Sequence, residues 1–215
     1  MLREVPSTEL YTILLVICLV LVAMAKLLAP KRFQDFLMLL INFRYLKVYI
    51  QEKKFFDFFE GLLFANLCIG LSVFYMLCLN LSINLPKNSY LTSFKLTLGI
   101  GVFLLVKLIL ERLTSKILNI ENIVYNYIFQ KTSYKNFLGL LLIPINAILV
   151  YSWHPNQINI SVFFLILITI NIAGIILFIK DNLKTIKKNW FYFILYLCAL
   201  EIAPYLVLYK LYTLQ

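Results

Sequence analysis

Residues 58–81 read FFEGLLFANLCIGLSVFYMLCLNL, an unbroken apolar run whose one charge is Glu60. About 20 mostly apolar residues in helical form cross the hydrocarbon core of a bilayer, so this run reads as a membrane span. Five similar runs surround it, at 9–28, 90–110, 136–151, 158–179 and 190–211. Lipid offers no partner to free backbone N–H and C=O groups, which leaves the helix as the open-ended solution. A transmembrane barrel would show short alternating strands, and these runs are continuous. The composition agrees. Of 215 residues, 62% are hydrophobic and 14% charged, against roughly 45–50% and about 25% in soluble domains. The expected fold is all-α: one polytopic integral domain over 1–215 with six transmembrane helices.

The formal charge is +10. A basic excess can serve nucleic acid, but here it sits on alternate connections. Segment 30–57 holds Lys31, Arg32, Arg44, Lys47, Lys53 and Lys54. The stretch after the third run holds Arg112, Lys116, Lys131 and Lys135, and the one after the fifth holds Lys180, Lys184, Lys187 and Lys188. The other connections carry Lys87 alone, or nothing. Basic loops stay in the cytoplasm. The N-terminus is therefore expected outside, three basic loops inside and the C-terminus outside, with the bilayer as partner and no nucleic acid. Ala23-Met24-Ala25 mimics a signal-peptidase site, but Lys26, Lys31 and Arg32 follow it and the leading residues lack basic character. Both features favour an anchor. Cys18, Cys68, Cys78 and Cys198 lie inside apolar runs without metal-ligand spacing and read as small hydrophobes.

Two inner connections carry helical periodicity. Leu113, Ile117, Ile120, Val124, Tyr127 and Ile128 oppose Arg112, Ser115, Lys116, Asn119, Asn122 and Asn126; likewise Phe33, Phe36, Leu37, Leu40 and Phe43 oppose Lys31, Arg32, Asp35 and Asn42. Both are expected as interfacial amphipathic helices flat on the cytoplasmic lipid surface. An internal match adds order. Tyr49-Ile50, Lys53, Phe59 and Gly61-Leu62-Leu63 recur 78 residues on as Tyr127-Ile128, Lys131, Phe137 and Gly139-Leu140-Leu141. The implied tandem units are 9–81 and 87–155, each span, interfacial helix, span, with 158–211 as a third hairpin. Parallel repeats differ from the inverted repeats of many transporters.

Polar residues inside the runs are the candidate sites. Glu201 falls near the middle of the sixth run, three residues before Pro204. A charge there costs about 2.5–3.5 kcal/mol, and Pro204 cannot donate to the carbonyl of Leu200. Two readings stand: a neutral carboxyl hydrogen-bonded to a neighbouring helix, or an ion- or proton-handling group. Pro144 and Asn146 form a second kink with an amide. Asn66 and Asn171 can cross-link helices. Lys107 and Glu111, four apart, are expected to form an interfacial pair or to snorkel separately, while Lys95 snorkels outward or reaches toward Glu201. His154 is the one histidine and reads as a turn residue; it cannot form a bis-His or HExxH site. There is no Gly-rich phosphate loop and no assembled Ser/His/Asp set. Neither a catalytic centre, a cofactor nor a metal is therefore expected.

The stretch Glu111-Arg112-Leu113-Thr114, Asn119-Ile120-Glu121, Tyr125-Asn126-Tyr127, Asn136 to Leu141 and Pro144-Ile145-Asn146 resembles an uncharacterised multi-pass family of Bacteroidota, as does the ending 191–204. The family carries only the label of a domain of unknown function. The resemblance implies a bacterial inner-membrane location and supplies no activity. The expected function is that of a non-catalytic membrane subunit or scaffold of an envelope assembly, such as a secretion or translocation apparatus; the alternative is a small proton- or ion-coupled transporter using Glu201.

Overall fold

The computed structural model describes residues 9–39, 44–49, 57–82, 90–117, 121–152, 157–181 and 210. They form the helices α1 (Glu9–Leu28), α2 (Pro30–Leu37), α3 (Arg44–Tyr49), α4 (Phe58–Ser82), α5 (Tyr90–Ile117) and α6 (Glu121–Ala147), a π-helical turn (Ile148–Ser152) and α7 (Gln157–Asp181). Four helical stretches are long and apolar enough to cross a membrane: Glu9–Leu28, Phe58–Leu79, Leu91–Ile117 and Val124–Ser152. Within α7 the apolar run Asn159–Ile172 is shorter. The all-α class and the multi-span character therefore stand, with four candidate spans among the described residues where six were expected. The sixth run lies outside them apart from Lys210.

Contacts divide the chain into two units, 1–101 with 132–172, and 102–131 with 173–215. In the first unit the helix directions alternate. Along α4 and α5, Ser93 meets Met76, Thr97 meets Ser72, and Gly101 lies against Cys68. One number rises as the other falls, so these helices are antiparallel. Along α4 and α6, Leu67 meets Gly139 and Gly70 meets Leu142 and Asn146. Both numbers rise together, so α4 and α6 are parallel. α1 packs on α4, and its first turn reaches the far end of α6, where Thr12 Oγ1 lies 2.6 Å from the Tyr151 hydroxyl.

The two amphipathic segments depart from expectation. Residues 113–128 are not one flat helix: α5 runs on to Ile117 and α6 begins at Glu121, well before the expected span start at 136. Val124, Tyr127 and Ile128 are buried in protein. Residues 33–50 likewise hold two short helices, α2 and α3, and the apolar face of α2 turns inward. Phe36 is fully buried, and its ring meets Tyr45, Phe59 and Phe137 edge-on at centroid distances of 5.5, 6.0 and 5.9 Å. A 3.6-residue stripe reports that one face is apolar but not whether lipid or protein covers it. The α1–α2 break has a local cause. Pro30 has no N–H to continue α1 and its fixed φ suits the first turn of a new helix.

Candidate functional site

Three clusters of buried polar groups stand out among the described residues. The first is a clasp at the start of α4. Arg32, on α2, points one guanidinium nitrogen at the Asp57 carboxylate and the other at Glu60 Oε1, 3.0 Å away. The Tyr49, Phe59 and Tyr45 rings lie 4.9, 5.1 and 5.9 Å from the guanidinium carbon. Arginine suits this setting, because its planar fork meets two carboxylates while its faces stack on aromatics. Burial pushes the Tyr45 phenol above its ordinary range. Asp57 plays a second part, since its carbonyl accepts the Gly61 N–H at 3.0 Å and opens α4. In sequence Arg32 reads as one base of an inner connection, on the polar face opposite Phe33 and Phe36. The signal that marks the clasp is Asp57 just ahead of a span and Glu60 in its first turn, where acids favour the helix N-terminus.

Removing this clasp has a predictable cost. Arg32→Ala leaves two partly buried carboxylates without their cation, and hydrogen bonds to charged groups contribute about 1.5–3 kcal/mol. A loss of that size is expected in thermal unfolding of the detergent-solubilised protein. Arg32→Lys should recover only part of it, because an ammonium cannot fork to both acids.

The second place belongs to the other unit. Glu111 on α5 is fully buried, and Lys131 Nζ on α6 lies 2.7 Å from its Oε1. The Lys131 amine also sits 5.3 Å from the Tyr127 ring centroid. Glu111 Oε2 is buried without a hydrogen-bond partner. Lys107, the expected partner one turn before Glu111, is buried as well. The structure thus adds Lys131, 20 residues away in sequence, to a pair expected within one helix. Nearby, Gln130 Nε2 donates to the Gly174 carbonyl of α7 at 3.2 Å.

The third place is the α4–α6 crossing. A Cβ on Gly139 would stand 2.8 Å from Leu67 Cα, so the two backbones are in direct contact there. Asn146 is fully buried and donates from Nδ2 to the Gly70 carbonyl at 2.9 Å. Small residues that let helices approach, with amides bridging them, are how membrane helices associate. Pro144 is exposed, three residues ahead of Ala147 and the π-helical turn. A proline removes one backbone bond, and a π-turn is one way a helix absorbs such a gap.

Other expected sites resolve differently. Lys95 is exposed on α5, between Ser93 and Thr97, which face α4. Among the described residues Asn171 bonds within its own helix, its Nδ2 donating to the Leu167 carbonyl at 3.2 Å. Asn66 makes no cross-link among them, for both its amide atoms are buried without a partner. Glu201, Pro204 and His154 lie outside the described residues. Among the described residues no group of three or more His, Cys, Asp or Glu could hold a metal ion.

Long apolar helices, alternating in direction and tied by small-residue contact and buried polar groups, define a multi-span integral membrane protein. The chain belongs to the family described as a domain of unknown function (DUF4271), whose model matches residues 11–212. No match was found among curated proteins or among solved structures.

Proposed function

We propose that this chain is a non-catalytic inner-membrane subunit, a scaffold within an envelope protein assembly, with secretion or translocation machinery as its setting. The observation that carries this reading is where the buried polar groups are spent. Arg32, Lys131 and Asn146 each bind another helix of the same chain, which is the chemistry of a rigid frame. The alternating directions of α4, α5 and α6 support successive crossings, and the basic character of alternate connections supports the sidedness proposed with it, with basic connections cytoplasmic and both termini periplasmic. The test is purification of the tagged native protein in mild detergent after crosslinking. Other membrane subunits are expected to come with it. A monodisperse chain carrying no other protein would refute the scaffold.

A second reading, a small proton- or ion-coupled transporter using Glu201, draws support from the carboxamide of Asn66, held inside a candidate span without a protein partner. It expects Glu201→Gln to abolish proton flux in proteoliposomes carrying a pH-sensitive dye while abundance is unchanged. Wild-type flux in that variant leaves the acid a structural role.

A further inference from the structure

Two buried carboxamides flank the α4–α6 crossing, and neither is satisfied by the protein. Asn66 is 0% exposed with Nδ2 and Oδ1 both unpartnered; Asn136 is 1% exposed with Oδ1 unpartnered. Burying an amide without a hydrogen bond is unfavourable, so a pair of them in one place calls for a guest.

Helix geometry puts the two together. The contact point is Leu67 against Gly139. At about 100° and 1.5 Å per residue, Asn66 is turned roughly 100° from Leu67 in one sense, and Asn136 roughly 60° from Gly139 in the other. On two parallel helices that face one another, opposite senses lead to the same flank. Their depths along the helices differ by only about 3 Å. The tight Leu67–Gly139 contact lies on one side of this layer. Phe59, in the aromatic cluster around Phe36, lies toward the other, and Phe137 of the same cluster falls between the two amides in depth.

We infer that Asn66 and Asn136 form a binding site for a buried water molecule within the membrane-spanning part of the first unit. The chemistry selects water over a cation. A bare cation would satisfy the carboxamide oxygens but face the Asn66 N–H, which needs an acceptor. Water accepts from Asn66 Nδ2, donates to Asn66 Oδ1 across the two-point face of the amide, and has one donor left for Asn136 Oδ1. Buried waters typically make about three such bonds.

Hydroxyl-radical footprinting of the wild-type protein by millisecond radiolysis reads the site directly, because radicals form at bound water. Labelling is expected at Leu67 or Phe137, which are buried, and not at Val73, which is fully buried away from the two amides in sequence. No labelling at Leu67 or Phe137 above the Val73 level overturns the proposal. Thermal unfolding gives a second arm. Asn66→Leu and Asn136→Leu should each lower the Tm by about 3–6 °C, and the double variant should lose little more than one alone, since both act through one guest. A higher Tm for Asn66→Leu would mean a dry, strained amide and sink the proposal. So would additive losses, or a wild-type Tm that rises when sodium or potassium replaces choline at fixed ionic strength.

Discussion

Lys131→Met is expected to destabilise the protein by about 3–5 kcal/mol, the usual cost of removing one partner from a buried ion pair. The Glu111 side chain is 1% exposed and Lys131 is its partner at 2.7 Å. Its second oxygen has no hydrogen bond to fall back on. Removing the ammonium leaves a carboxylate in a medium that cannot solvate it, and also empties the face of Tyr127. The expected drop in Tm is at least about 6 °C. Replacing both partners, Glu111→Gln with Lys131→Met, should recover most of the loss, because a buried pair exchanged for neutral groups of similar size is often close to neutral. A double variant as unstable as the single one would show that the pair is not the source of the effect.

Gly139→Ala is the second large effect, with an expected loss of about 2–4 kcal/mol from overpacking and a weakened interhelical bond. The added carbon would lie 2.8 Å from Leu67 Cα and 2.9 Å from its Cβ. Backbone cannot rotate away as a flexible side chain can, so α4 and α6 must separate. Separation stretches the Asn146 bond to the Gly70 carbonyl at the same interface. Gly61, which matches Gly139 at the 78-residue offset, has nothing within 4 Å of an added Cβ. Gly61→Ala should therefore be neutral or slightly stabilising, since alanine is favoured over glycine in a helix by about 1 kcal/mol. Thermal unfolding of the two variants side by side checks both statements. Equal losses would place the importance of these glycines in the backbone and not in the crossing.

The same comparison shows what the internal match does and does not carry. Seven identities align the segment around Gly61 with the segment around Gly139, yet the chain uses them differently. Asp57 turns its side chain to Arg32 and stands outside α4. The aligned Lys135 sits inside a helix that began at Glu121. A matched residue inherits a position in sequence, while its role depends on which helix lies opposite.

Residues 9–28 and 58–82 show how much the amino-acid order alone determines. Their helical bounds follow from apolar length, because a backbone in lipid must bond within itself and the apolar run is the length that does so. The alternation of basic and neutral connections likewise fixes a sequence of crossings that the antiparallel α4–α5 pair and the parallel α4–α6 pair agree with. Tertiary structure decided the rest. Lys131 finds Glu111 across 20 residues and Arg32 finds Asp57 across 25. Leu67 takes Gly139 as neighbour, and Phe36 turns into an aromatic cluster instead of lipid. Apolar periodicity measures the solvent preference of a face and is blind to what that face touches. Only the packing of one helix on another chooses between protein and lipid, and so decides which polar groups meet.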